Sequence, residues 1–159
     1  MQLDEKAFQK RLLFELNQVR REAPTFRPCG DLTEWIGYIM GTGPYEGGIF
    51  VFRIKIPRTY PFTPPIVEAL TPIFHPNISE SGKVCLDVFQ KKWLTSMSLV
   101  DVINSLRLVF NIELANPDNY FNFRAATTLK RSKQEFIKIA QEWTKKFATW
   151  EKARELGIK

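Results

Sequence analysis

The 159-residue sequence predicts an α+β domain, with helices segregated from an antiparallel sheet. Three observations carry that expectation. Apolar residues recur at helical spacing near both ends of the chain. Short strand patterns separated by tight turns follow the first helical segment. An irregular, proline-rich stretch then divides the strands from the later helices. The expected order is one N-terminal helix, a four-stranded antiparallel meander, a long loop carrying the candidate active site, and C-terminal helices. The length suits a single domain, residues 1–159, with enough chain for a real core.

The first helix runs from about Asp4 to Glu22, because Phe8, Leu12, Leu16 and Val19 share one face. Asp4 is its expected N-cap and Pro24 its stop, after which Pro28 and Gly30 mark a turn. Asp31 to Met40 reads as a strand carrying Trp35 and Tyr38, and Gly41-Thr42-Gly43-Pro44 with Gly47-Gly48 as the turn behind it. Ile49 to Ile56 is the clearest strand, with Phe50, Phe52, Ile54 and Ile56 on one face and Arg53 and Lys55 on the other. Ile66 to Leu70 makes a short strand after Pro64-Pro65. Ser98-Leu-Val-Asp101 is a capping-box pattern before a helix over 99–112, whose buried stripe is Leu99, Val102, Ile103, Leu106, Val109 and Phe110. Asn116-Pro117-Asp118-Asn119 breaks the chain, and Asn122 caps a short helix through Leu129. Ser132-Lys-Gln-Glu135 is a second capping box, ahead of one stripe of Phe136, Ala140, Trp143, Phe147 and Trp150.

Composition excludes several classes. At 44% hydrophobic and 25% charged the chain is an ordinary soluble protein, and no apolar run approaches the ~18 residues of a membrane span. The N-terminal MQLDEKAFQKRLLFEL mixes charges into its apolar residues and is not a secretory signal. Two cysteines make no disulfide framework, so a reducing compartment is expected, cytoplasmic with the nucleus also open. Net charge is +6, and residues 125–159 hold most of it, with nine basic and four acidic side chains. Nucleic acid or an acidic protein could read that excess, yet it also fits a solvated helix face, and no nucleic-acid motif accompanies it.

The segment Tyr60 to Trp93 concentrates the chemistry. It holds five of the ten prolines, the only histidine and one of the two cysteines. Ordering so irregular a stretch costs about 1–2 kcal/mol of backbone entropy per residue, and such loops are usually functional. Cys85 lies among apolar Val84, Leu86 and Val88, which fits a buried, inert thiol, but the polar turn Ser79–Lys83 and Gln90-Lys91-Lys92 on either side fit a thiol near a surface. Cys29 has no comparable setting and reads as structural. His75 could suggest a cysteine–histidine hydrolase, but it is held before Pro76 with no orienting partner in view, so a structural imidazole bonded to loop backbone fits better. One histidine and two distant cysteines lack zinc-ligand spacing, so no metal is expected. The Asn77 amide can serve as a neutral donor to a developing oxyanion or as a turn residue after Pro76.

Taken together, these motifs resemble the ubiquitin-conjugating enzymes, which carry ubiquitin or a related modifier as a thioester. The resemblance rests on Tyr60-Pro-Phe-Thr-Pro-Pro65, on His75-Pro76-Asn77 eight residues before the cysteine, on Val84-Cys85-Leu86-Asp87, and on Trp93 eight residues after it. Pro44-Tyr45-Glu46-Gly47-Gly48 upstream and Ala140-Gln-Glu-Trp143-Thr downstream extend it over about residues 5–148, leaving a short basic C-terminal extension. The resemblance implies that Cys85 accepts the modifier's carboxyl from an activating enzyme and that Asn77 stabilises the oxyanion when a lysine attacks. It implies that His75 shapes the loop, and that Asp87, Asp118 and Asn119 stand near the acceptor. Phe62, Thr95 and Ser96, with the first helix, would meet a RING-type ligase. No bound cofactor is implied, since ATP is used by the activating enzyme. The implied partners are the modifier, the activating enzyme, a ligase and substrate lysines, with no membrane and no nucleic acid. A carrier of another ubiquitin-like protein, or a modifier-binding domain without catalysis, is the alternative.

Three departures from the family pattern bear on the site. Asn119 follows Asp118 where the family commonly has an acid or serine, and the join from Phe110 to Ala115 is about two residues longer than in compact members. Leu94-Thr95-Ser96 lacks the proline many members carry there. The helix from Leu99 also exposes Asp101 and Asn104 where many ubiquitin carriers place an apolar contact for the bound modifier.

Overall fold

The structure, a computed structural model, describes residues 1–85 and 91–159. Helix α1 spans Glu5–Glu22 and is N-capped by Asp4, whose carboxylate accepts from the Ala7 amide. Strands β1 (Phe26–Cys29), β2 (Asp31–Met40), β3 (Ile49–Lys55) and β4 (Ile66–Ala69) form one antiparallel sheet in the order β1-β2-β3-β4. Pro28, expected in a turn, lies instead inside edge strand β1, and the turn to β2 is made at Gly30 with φ +92°. Helix α2 (Leu99–Leu108) follows the long loop, then α3 (Phe123–Arg131), α4 (Lys133–Phe147) and α5 (Trp150–Glu155). Among the described residues, no helix is long and apolar enough to cross a membrane.

The main core lies between one sheet face and α1, α2 and α4. Phe50, Phe52 and Ile54 point into it, against Leu99, Val102, Ile103 and Leu106 of α2 and Phe136 and Ala140 of α4. Each such aliphatic or aromatic side chain contributes roughly 1.5–3 kcal/mol through burial. The Ser98–Asp101 capping box fixes where α2 begins, with both reciprocal bonds present. The helix ends at Leu108 rather than 112, because residues 112–114 tighten into a single 3-10 turn capped by the Asn111 side chain.

One sequence expectation is corrected at the C-terminus. The stripe from Phe136 to Trp150 is not one helix face: α4 stops at Phe147, and Thr149 caps a new helix. Trp150 is therefore half exposed and meets the Tyr38 ring edge-on at 5.1 Å. The basic extension packs onto the sheet. It turns back over the second face of the sheet, where Ala153 and Ile158 bury against Ile36, Ile49 and Val51, and Arg27 donates to the Gly157 carbonyl at 2.8 Å. This cover explains why β3 is apolar on both faces at Ile49–Phe52 and turns polar only at Arg53 and Lys55.

Candidate active site

Local pairing holds the loop before Cys85. Lys83 bridges to Glu68 of β4, and Ile78 bridges to both His75 and Val84. Gly82 makes this close approach possible: its φ is +94°, its carbonyl accepts from the Ala69 amide at 2.7 Å, and a Cβ there would sit 2.2 Å from the Ala69 oxygen. The Cys85 amide then donates to the Asn77 carbonyl at 2.8 Å. Sequence positions eight apart are thereby locked side by side.

Cys85 is 6% exposed and reaches a cavity of about 370 Å³. The cavity is also lined by Asn77, Asn119 and Lys92, with Ser105 and Leu108 from α2 and Leu114 from the 3-10 turn. Both expectations for this thiol hold in part, since it is buried and still opens onto a cleft.

His75 is buried and wired on both nitrogens. Its Nε2–H donates to the Val109 carbonyl at 2.9 Å, and Nδ1 accepts from the Asn77 amide at 3.0 Å. Both bonds are satisfied together only by the neutral ring with the proton on Nε2. Burial pushes its pKa from the ordinary 6.5 down to about 4, with the Val109 bond opposing in part. The upstream Tyr45 hydroxyl donates to the Phe74 carbonyl at 2.6 Å, which pins the neighbouring backbone. His75 thus ties the cysteine loop to the end of α2.

The sign of the pH effect follows. The folded protein holds His75 neutral below the pH at which an unfolded chain protonates it, so this contribution is complete above about pH 6.5 and is lost as pH falls from there towards 4. The slope approaches ~1.4 kcal/mol per pH unit within that window. His75 is the only histidine, so its ring signals are unambiguous. NMR should show a neutral ring at pH 5.5, and His75→Gln should lack this part of the acid loss of stability. A titration midpoint near 6.5 would contradict the wiring.

The Asn77 side chain also has defined partners. Its Nδ2 donates to the carbonyls of Asn116 and Asn119 at 2.9 and 2.8 Å, and its Oδ1 accepts from the Asn116 amide at 3.0 Å. The Asn116 carboxamide accepts in turn from the Asp118 and Asn119 amides. In this geometry Asn77 staples the 116–119 loop over the cleft. Donation to an oxyanion requires it to release one of the two carbonyls.

The remaining expected site residues divide. Asn119 lines the cavity. Asp118 does not; its carboxylate pairs with Lys130 at 2.6 Å. Asp87 lies outside the described residues. Thr95 and Ser96 are exposed and Phe62 is half-buried, between a free anchor and a core plug. The Trp93 indole donates to the Pro61 carbonyl at 2.8 Å, and the Arg11 guanidinium to that of Met97 at 2.8 Å. These bonds join the Phe62 loop, the 93–97 loop and α1 into one face. Exposed Phe14 and Leu94 add apolar area that the sequence reading missed, Leu94 being 59% exposed. Leu108 and Leu114 at the cavity were missed as well. Leu108 lies within the predicted helix but off its buried stripe, and Leu114 comes from the longer join.

Glu15 is a further surprise. A carboxylate on α1 reads as solvated, but Glu15 is fully buried. It accepts from the Tyr60 hydroxyl, from Arg11 at 3.0 Å and from the Leu99 amide at 2.9 Å. It thereby fills the N-terminus of α2 with a paired charge.

Among the described residues, no group of three or more His, Cys, Asp or Glu side chains could hold a metal. A family model for ubiquitin-conjugating enzymes matches residues 9–144. Among solved structures, the chain is similar to the E2 domain of a Toxoplasma gondii ubiquitin-conjugating enzyme, TgTwinScan_2721, at 31% identity and a TM-score of 0.78, covering 89% of this chain and 99% of that one. The architecture is thus the α+β ubiquitin-conjugating fold: N-terminal helix, four-stranded antiparallel sheet and C-terminal helices. The chain belongs to the ubiquitin-conjugating enzyme family. Membership implies, in general terms, a ubiquitin-like protein, an activating enzyme and a ligase as partners.

Proposed function

We propose that this protein carries ubiquitin or a related modifier as a thioester on Cys85 and transfers it to lysine. The observation that carries the reading is the convergence of Cys85, Asn77 and Asn119 on one cleft walled by Leu108 and Leu114. In the first step the Cys85 thiolate attacks the modifier's thioester on the activating enzyme, and that enzyme's thiolate leaves. In the second, a lysine amine attacks the carbonyl, the Cys85 thiolate departs, and the amine's extra proton passes to solvent or a nearby base, leaving an isopeptide. The thioester is already activated, so the protein's work is mainly positioning. The cleft also desolvates an amine whose ordinary pKa is near 10.4, favouring its reactive neutral form.

The modifier's own contacts follow from α2. Asp101 caps its N-terminus and Asn104 accepts from Arg107. The exposed apolar surface of α2 lies further along, at Leu108, 58% exposed, beside Leu114 at 61%. A modifier tethered at Cys85 is read there by apolar contact one turn beyond Asn104. The test is a charging panel: protein, ATP and several modifiers, each with its activating enzyme. A thiol-reducible adduct with one modifier supports the proposal and identifies the cargo; no adduct with any refutes it, leaving a non-catalytic binder.

The ligase is read by the face of α1 with the two loops. Phe14→Ser or Leu94→Ser should abolish ligase-stimulated discharge, while melting temperature and unstimulated discharge to free lysine stay near wild type. Buried interface anchors of this kind commonly contribute ~2 kcal/mol or more. Phe62→Ala, at a half-buried position, should lower both ligase response and melting temperature. An unchanged ligase response in all three would move the partner elsewhere.

A further inference from the structure

Residues 149–159 lie outside the main core and make a strap across the outer face of the sheet. Thr149 caps α5, and the Ala148 carbonyl before it accepts from the Ile49 amide at 2.9 Å. At the far end Gly157, with φ +114°, closes the helix, and the Ile158 amide reaches back to the Ala153 carbonyl at 3.0 Å. That turn sets Ala153 and Ile158 together on Ile36, Ile49 and Val51, with Leu156 and Leu70 packed against the same cluster. A helix of six residues has little stability of its own, so these contacts hold the strap in place.

The backbone beneath the strap leads to the cysteine loop. The amides of Leu70 and Thr71, just past β4, both donate to the Val51 carbonyl, at 2.8 and 3.4 Å, and the Thr71 hydroxyl accepts from the Val51 amide at 2.8 Å. One residue earlier, the Ala69 amide donates to the Gly82 carbonyl at 2.7 Å, and Glu68 bridges to Lys83, two residues before Cys85. Leu156 shares a cleft of about 150 Å³ with residues 68–72 and 79–82. The strap therefore backs the strand end from which the 79–83 turn hangs. Resting on the thioester reading above, we infer that Leu156 and Ile158 are positioning residues for Cys85. They press on Val51 and Leu70 from the outer side, keep the end of β4 against β3, and so fix the Gly82 pairing that sets the cysteine backbone. The sulfur must meet the modifier's carbonyl in line and later leave it, and a misplacement of about 1 Å far from the chemistry can slow such a step severely.

The experiment uses the full chain carrying Cys29→Ser, so that Cys85 is its only thiol. Adding Leu156→Ser and Ile158→Ser should lower kcat for charging and the rate of discharge to free lysine by about three- to tenfold each, with KM for the activating enzyme unchanged. Hydrogen exchange should quicken at the amides of Ala69, Gly82 and Cys85 and not in α2. Gly157→Ala is the milder variant. It places a methyl group 3.2 Å from Ile36 Cδ1 at a positive φ, and should move rates and exchange in the same direction. Val19→Ala, in the main core, is the control for a comparable fall in Tm, and should slow neither step per folded molecule. Parent rates in the strap variants, or slowing without quicker exchange at those amides, overturn the inference while the thioester reading stands. Equal slowing in Val19→Ala overturns it as a general loss of stability. A raised KM with unchanged kcat overturns it by assigning the outer face to the activating enzyme. Failure of the parent to charge with any modifier refutes the thioester reading itself.

Discussion

Replacing Cys85 with alanine should abolish formation of a modifier adduct, and replacing it with serine should leave at most a slow, thiol-resistant ester. The expected loss is complete because the remaining cysteine is too far from the chemistry to substitute: Cys29 is half-buried at the end of β1, in the satellite cluster under α5. Cys29→Ser should therefore charge normally. The variants are also expected to fold. The Cys85 contact given by its backbone amide, to the Asn77 carbonyl, survives any side-chain change. Removing the buried sulfur leaves a small void, with costs at the mild end of large-to-small substitutions. Adduct formation would be read on non-reducing gels with and without excess thiol. Full charging of Cys85→Ala would remove the assignment of the nucleophile.

Asn77→Ala should produce the second-largest effect, in two measurements at once. Discharge to lysine should fall by roughly a hundredfold or more, the range seen when an oxyanion donor is removed, with charging affected far less. Melting temperature should fall too, because the side chain makes three bonds to the 116–119 segment. Leaving such groups unpaired costs ~1–3 kcal/mol, and each kcal/mol moves the midpoint by roughly 2–4 °C in a domain of this size. Hydrogen exchange separates the two causes. If Asn77 acts on the reaction chiefly by stapling the loop, amides over 116–122 should exchange faster in the variant, in proportion to the lost rate. If it acts as an oxyanion donor, the rate falls without that loosening. Wild-type discharge rates with the fold intact would leave it a turn residue.

The sequence made much of the candidate site legible because its residues are close along the chain. His75, Asn77 and Cys85 fall within eleven residues, and hairpin pairing through Ile78, Lys83 and Val84 needs only short loop closure to bring them together. Caps were legible for the same reason. Asp4, Ser98, Asn122 and Ser132 each bond an amide three residues away. What could not be read was any role set by a distant partner. Glu15 resembles every other helix-surface glutamate until the Leu99 amide, 84 residues away, is placed against it. Nor does the sequence announce that the Asp118 carboxylate pairs with Lys130 of α3.

The sequence by itself determined the fold class, the order of its elements, the family and the short constellation around Cys85, because periodicity, capping and turn chemistry act over a few residues. Only the tertiary structure decided which apolar residues stay outside the core. Leu108 and Leu114 flank the cleft because α2 ends early and the longer join folds back, and Tyr120 and Phe123 are held out because Pro76 fixes the backbone between them. It also decided that the last ten residues cover the sheet. Their short apolar set, Ala153 and Ile158, gains free energy only where Ile36, Ile49 and Val51 wait on the outer face, a complement no local pattern can announce.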